Sequence, residues 1–134
     1  MKYIIAIVQP DRLDEVVVAL TEAEINLMTV SDVMGRGRQK GVAEVYRSHV
    51  EPGGLLRKVK VEIAVNDEYL RPALDAVIKG ARTGNIGDGK VFVLDLEECL
   101  RIRTGETGGL AIGRPSPLDS PICATPQVPR SSSW

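Results

Sequence analysis

The sequence predicts an α+β fold, a ferredoxin-like βαββαβ sandwich with helices on one face of a sheet. The order strand, helix, strand occurs twice along the chain, and the two copies begin alike, since residues 5–8 read IAIV and residues 63–65 read IAV. The chain has 134 residues, of which 43% are apolar and 26% are charged. This length and composition are typical of one packed domain.

The first unit begins with residues 2–8, a β-branched run bounded by Pro10, which predicts a strand buried on both faces. Asp11 is the expected N-cap of the helix that follows. The apolar face of that helix recurs at intervals of three and four residues, at Leu13, Val16, Val17 and Leu20. Residues 27–34, rich in β-branched side chains, predict the second strand.

The second unit repeats this order, with a strand over residues 58–65 and Asn66 or Asp67 as the expected helix cap. Pro72 lacks the backbone N–H that a helix interior needs, so we expect an irregular first turn or a later helix start. Residues 91–94 predict the closing strand. The apolar face of the second helix consists of Leu70, Leu74, Val77 and Ala81.

Two segments fall outside this repeat. Residues 35–57 form a glycine-rich connection with an excess of positive charge, too long for an ordinary link and therefore expected to be functional. Residues 113–134 contain five of the eight prolines and five serines, which predicts a loosely docked tail. The folding unit is therefore expected to span residues 1–112.

The overall charge excludes some classes of function. A formal net charge of −1 gives no general attraction to nucleic acid or to anionic lipid. No apolar run approaches the ~20 residues of a membrane helix, so we expect no membrane insertion. Cys99, Cys123 and His49 are too few for a typical structural zinc site. We expect a cytoplasmic protein with reduced cysteines.

Residues 84–90 read GNIGDGK and match the first seven positions of a P-loop. Val91 replaces the Ser or Thr that would bind magnesium, and the segment runs from helix to strand, which disfavours a P-loop NTPase. Glycine amides and Lys90 could still hold phosphate; the alternative is a tight turn. Residues 35–41 are also glycine-rich and basic, and Arg101 and Arg103 have the spacing of one strand face, or else of a solvated edge.

These segments carry a family resemblance. Residues 37–41 (GRQKG), 44–47 (EVYR), 58–62 (KVKVE), 83–90 (TGNIGDGK) and 101–106 (RIRTGE) resemble the PII signal-transduction family of nitrogen-regulatory proteins, without a visible gap from Met1 to about Glu106. The resemblance implies a homotrimer that binds ATP or ADP between subunits and 2-oxoglutarate beside ATP and Mg²⁺. It also implies a T-loop at about residues 37–55 and a B-loop at about residues 82–90.

The resemblance also implies roles for individual residues. Gln39 would ligate Mg²⁺, Lys58 would pair with a 2-oxoglutarate carboxylate, and Tyr46 and Arg47 would contact the regulated partner. The ligand site as a whole would comprise Ile7, Thr29, Gly35, Arg36, Gly37, Arg38, Gln39, Lys58, Glu62, Ala64, Ile86, Gly87, Asp88, Gly89, Lys90, Arg101 and Arg103.

The implied function is a non-enzymatic sensor of adenine nucleotides and 2-oxoglutarate. Its T-loop would regulate an ammonium transporter or an enzyme of nitrogen metabolism. Glu51 stands where many members carry a modified tyrosine, so covalent switching is not expected. The altered loop tip leaves a second hypothesis, a divergent regulator of a bicarbonate transporter or of metal export. An enzyme or an RNA-binding module is disfavoured by the single histidine and by five scattered aromatic residues.

Overall fold

The computed structural model describes residues 1–37 and 54–113. The sheet in these residues consists of β1 (Lys2–Val8), β2 (Thr29–Gly35), β3 (Leu56–Val65) and β4 (Gly89–Asp95). The helices are α1 (Leu13–Glu22), α2 (Leu70–Ala81) and the short α3 (Gly109–Ile112). The predicted site residues Arg38, Gln39, Tyr46 and Arg47 and the tail residues 114–134 lie outside the described residues.

The strands form a sheet in the order β2-β3-β1-β4, and every neighbouring pair is antiparallel. Ile4 of β1 lies opposite Ile63 of β3 on one side and opposite Val93 of β4 on the other. The first and third strands are therefore central, as in a ferredoxin-like sandwich. The predicted α+β fold is confirmed, and the second strand begins at Thr29 rather than at residue 27.

The hydrophobic core lies between α1, α2 and one face of the sheet. Alternate residues of β1 and β3 are buried there, and they meet Val16 and Leu20 of α1 and Val77 of α2. Ile5 and Ile7 point to the opposite face and are only partly buried. The prediction that the first strand is buried on both faces is therefore wrong for the single chain, because the described helices of the core cover only one face.

Each long helix is preceded by one 3₁₀ turn, Pro10–Arg12 or Asp67–Tyr69. The irregular start predicted from Pro72 is thereby confirmed, and Pro72 falls in the first turn of α2, where its missing N–H would have had no partner within the helix. Asp11 and Asp67 lie within the 3₁₀ turns, so neither is an N-cap. Asn66 occupies the N-cap position of the second turn but makes no capping hydrogen bond, and its side-chain amide donates to the Gly109 carbonyl at 3.3 Å. No helix in the described parts of the chain is long and apolar enough to cross a membrane.

The two long helices approach each other at Gly80. A Cβ atom added at Gly80 would lie 2.5 Å from the Cα of Val16, which is backbone and cannot turn aside. The absence of a side chain at Gly80 therefore allows α1 and α2 to pack closely beside the core.

We predict that Gly80→Ala destabilises the protein by about 1–3 kcal/mol, because the added methyl group forces the helices apart. In most helix interiors a change from glycine to alanine stabilises the protein instead. Gly113→Ala is the matched control, since a Cβ there meets nothing within 4 Å, and it should change stability by less than ~0.5 kcal/mol. Denaturant unfolding measures both variants, and a Gly80→Ala protein as stable as the wild type would contradict the packing argument.

Candidate functional site

The glycine loop, defined here as residues 82–90, connects the end of α2 to the start of β4. Gly84, Gly87 and Gly89 have φ angles of 91°, 101° and 117°. These values lie in a region that residues with a side chain rarely adopt. The path of the loop therefore depends on all three glycines.

The loop is held against the carboxyl end of β1. A Cβ atom at Gly89 would lie 1.9 Å from the backbone oxygen of Ile7, so no other residue fits there. The side-chain amide of Gln9, just beyond β1, donates a hydrogen bond to the Gly87 carbonyl at 2.5 Å. These two contacts fix the distal half of the glycine loop to the sheet.

Asp88 stabilises the same loop from within. Its carboxylate accepts hydrogen bonds from the backbone amides of Thr83 at 2.7 Å and Gly84 at 2.9 Å, and from the Thr83 hydroxyl at 2.5 Å. The Thr83 hydroxyl in turn accepts the Asn85 amide at 3.2 Å. The carboxylate thus closes the loop by joining its first residues to its last.

The ionisation of Asp88 reflects these contacts. Burial, the largest single influence, would by itself raise the pKa of this carboxyl group. The hydrogen bonds from Thr83 and Gly84 and the nearby charge of Arg12 together outweigh burial and hold the Asp88 pKa below its ordinary value. The group is therefore an anion at neutral pH, and the interactions that lower its pKa also organise the loop.

The glycine loop ends on the open face of the sheet, the face opposite α1 and α2. Lys90 pairs in register with Ile7, and Ile7 pairs with Lys60 on its other side. Lys90 is exposed, and the Ile86 side chain has 72% of its surface exposed. The cation at the end of the loop and the apolar side chain of Ile86 are thus accessible to a ligand.

A second set of predicted site residues lies on the same face. Thr29 pairs with Glu62, and Glu62 accepts a hydrogen bond from the Tyr3 hydroxyl at 2.8 Å. Burial and, secondarily, Glu62 raise the pKa of Tyr3. Ala64 lies opposite Tyr3. Since strands are about 4.8 Å apart, β2 with Thr29 lies about 14 Å from β4, which carries Lys90. One chain therefore does not bring the two sets together.

The predicted strand spacing of Arg101 and Arg103 is wrong. Residues 101–104 form a turn, closed by the Gly105 amide on the Arg101 carbonyl at 2.8 Å, with Gly105 at a φ of 78°. Arg101 turns inward with 10% of its side chain exposed, where it contacts Glu106 at 3.5 Å and donates to the Ala111 carbonyl at 3.2 Å. Arg103 is exposed. The sequence Thr-Gly-Glu after these arginines favours the turn, because Thr104 accepts the Glu106 amide.

The base of the long connection contains a buried cation. Lys58 is 7% exposed, and a Cβ atom at Gly35 would lie 3.6 Å from its Cγ. Arg36 and Gly37 follow β2 and are exposed. Among residues 1–37 and 54–113 no group of three His, Cys, Asp or Glu side chains could hold a metal, and Gln39 lies outside these residues. The structure thus places Lys58, but not the rest of the predicted magnesium and 2-oxoglutarate site.

Gln9, Arg12 and Tyr3 were not predicted as site residues. Gln9 donates a hydrogen bond to a carbonyl 78 positions away, and Tyr3 donates one to a carboxylate 59 positions away. Arg12 donates from Nε to the Gly80 carbonyl at 3.0 Å, beside the start of the glycine loop. No local pattern marks these residues. Knowledge of the register between β1 and β4 would have indicated that Gln9 lies close to the glycine loop.

Comparisons with known proteins agree with this architecture. The family model described as Nitrogen regulatory protein P-II matches residues 1–106. Nitrogen regulatory protein GlnK1 of Methanosarcina mazei is 51% identical over 114 residues, which cover 84% of this chain and 97% of that protein. Nitrogen regulatory protein P-II of Nostoc punctiforme is 49% identical over 112 residues, with 84% and 100% covered.

A solved structure shows the same fold. The crystal structure of Arabidopsis thaliana PII bound to citrate superposes with a TM-score of 0.68 at 37% sequence identity, over 85% of this chain and 91% of that one. The relatives are named as regulatory proteins rather than as enzymes. The chain belongs to the nitrogen regulatory protein P-II family.

Proposed function

We propose that the protein is a trimeric sensor that binds ATP or ADP with the phosphates on the glycine loop, and that nucleotide and 2-oxoglutarate together control its contact with a target. The observation that carries the proposal is the loop itself. The loop has three glycines in the left-handed region and is fixed to β1. It forms a backbone cradle that ends at the exposed cation Lys90. Such a cradle suits a phosphate group.

Asp88 does not oppose this proposal, although it is an anion within the loop. Its carboxylate already accepts the amides of Thr83 and Gly84 and the Thr83 hydroxyl, so its charge is compensated by three donors. Its contribution to phosphate would come through its own backbone amide. The exposed cations Lys90 and Arg103 would supply the opposite charge, whereas Arg101 is turned inward toward Glu106 and the Ala111 carbonyl.

The separation of the two predicted residue sets supports a site between subunits. Thr29 and Glu62 would contact the nucleoside of a ligand whose phosphates lie on the glycine loop of another copy. The open face also exposes apolar side chains suited to contact with other copies, since Phe92 is 50% and Leu94 49% exposed. A trimer would bury this face and complete each site with residues of a neighbour.

The regulatory step is linkage between the ligand site and the T-loop. Lys58 is held near the residue where β2 ends, so a carboxylate of 2-oxoglutarate bound there, with Mg²⁺ on Gln39, would bias the positions of the T-loop. We propose an ammonium transporter or an enzyme of nitrogen metabolism as the target. The bicarbonate or metal-export alternative rests on the unusual tip, Glu51 to Gly54.

Calorimetry tests the nucleotide site. We expect the wild-type protein to bind ATP or ADP, and Lys90→Ala to weaken binding about tenfold or more, because a charge-assisted contact with phosphate is lost. 2-Oxoglutarate should bind only when ATP and Mg²⁺ are present.

The matched control for Lys90→Ala is Lys79→Ala, which removes an exposed lysine 3.6 Å from Glu22 on the outside of the helices. It should leave nucleotide affinity unchanged. A wild-type protein that gives no heat with either nucleotide, or Lys90 and Lys79 variants that behave alike, would contradict the proposal.

The loop-closing role of Asp88 gives a prediction of unusual sign. Asp88→Ala removes a negative charge, yet we expect about tenfold weaker nucleotide binding and faster exchange of the Thr83 and Gly84 amides, because no side-chain oxygen remains to accept their hydrogen bonds. Asp75→Ala, on the exposed side of α2, should change neither. Tighter nucleotide binding by Asp88→Ala would show that repulsion, not loop closure, dominates.

The pH dependence follows from the lowered pKa of Asp88. A carboxyl group whose pKa is lower in the folded state stabilises the fold fully above its unfolded pKa, about 4, and loses this contribution as the pH falls through the folded value. Protection of the Thr83 and Gly84 amides should therefore be constant from pH 7 to about pH 5 in the wild type, and should disappear only in more acidic solution.

A further inference from the structure

The segment between β1 and α1 makes two contacts with the glycine loop and its approach. Gln9 donates its side-chain amide to the Gly87 carbonyl at 2.5 Å. Arg12 donates from Nε to the Gly80 carbonyl at 3.0 Å, near the end of α2, and its charge helps to lower the pKa of Asp88. Gln9 and Arg12, both within the segment 9–12, thus stabilise the distal half of the loop and the end of the helix that precedes it.

The Gln9 contact bears on the direction of a backbone donor. The Gly87–Asp88 peptide bond is trans, since the described residues contain no cis peptide. In a trans peptide the carbonyl and the following N–H point in opposite directions. A hydrogen bond that holds the Gly87 carbonyl toward Gln9 therefore holds the Asp88 N–H away from Gln9.

Glycine makes this restraint necessary. Gly87 has a φ of 101°, and the absence of a side chain lets the peptide plane after it rotate at little cost. Without a partner for the Gly87 carbonyl, the Asp88 N–H would sample several directions. Gln9, which directly follows β1, supplies that partner.

We infer that Gln9 is a positioning residue for phosphate, because its hydrogen bond to the Gly87 carbonyl fixes the peptide plane that carries the Asp88 amide, one of the donors that the glycine loop would offer to a phosphate. The inference rests on the proposed nucleotide site. It states that Gln9, a residue outside the glycine loop, controls the direction of one hydrogen-bond donor of that loop. Gln9 does not itself touch the phosphate. The ligand chemistry concerned is that of a terminal or bridging phosphate oxygen, not of the adenosine.

The test compares Gln9→Met with Gln9→Lys. Methionine has a similar length and no charge but cannot donate, whereas lysine restores a donor. We expect Gln9→Met to bind ATP and ADP about five- to tenfold more weakly, with faster exchange of the Asp88 amide and unchanged denaturant stability. Gln9→Lys should recover most of the affinity. Adenosine, which lacks phosphates, should bind both variants as it binds the wild type.

The outcomes separate the two proposals. If the wild type binds no nucleotide, the proposed function fails before Gln9 is tested. If the wild type binds and Gln9→Met binds ATP equally well, the positioning role is overturned. It is also overturned if adenosine and ATP lose affinity in parallel, or if the lost affinity follows a loss of global stability, since either result would indicate a merely structural contact.

Discussion

The contact between the Ile7 carbonyl and Gly89 is the constraint on which the site depends. At this point the glycine loop passes so close to β1 that any side chain would collide with backbone. The contact sets the register of β4 on β1, so it places Lys90 beside Ile7 on the open face. It also brings Gly87 within reach of Gln9. Sheet pairing and the geometry of the glycine loop are therefore consequences of one close approach.

The opposite end of the loop depends on the helices. Gly80 allows α2 to pack on α1 at Val16, and Arg12 joins the start of α1 to the same turn of α2. The start of the loop is thus held by the packed helices, and its end is held by the sheet. Between these two supports, Asp88 closes the loop on Thr83 and Gly84. A loop anchored in this way keeps its amides oriented without the ligand, which lowers the cost of ordering them on binding.

In the proposed trimer a single chain would hold only parts of each site, and the open face of the sheet gives the reason. Thr29 and Glu62 lie on the strands farthest from β4, and Lys90 lies on β4 itself, with sheet spacing preventing their approach. The apolar exposure of Phe92 and Leu94 on the same face is costly in water unless another surface covers it. Association of copies through this face would complete the site, and it would also remove the apolar side chains from water. Assembly and ligand binding would therefore be linked.

Much of this could be predicted from the sequence because the signals were local. The repeated strand–helix–strand order, the apolar helix faces at Leu13 to Leu20, and the glycines of residues 84–89 each depend on short-range periodicity or turn chemistry. The family motifs supplied the remaining predicted site residues. The errors share a cause as well. The turn at Arg101, the 3₁₀ starts in place of the Asp11 cap, and the bracing by Gln9 depend on partners far along the chain or on competition between local conformations.

The most direct measurement of the central claim, that neighbouring copies share each site, is complementation between two defective chains. Lys90→Ala removes the cation at the end of the glycine loop, and Arg103→Ala removes a cation that the family resemblance assigns to the neighbouring copy. Each protein alone should bind ATP weakly. If the site lies between subunits, co-expression in equal amounts creates some pairs in which both halves are intact, and calorimetry should recover tight binding at about a quarter of the sites. Recovery of no tight sites in demonstrably mixed oligomers would place the whole site within one chain and contradict the account.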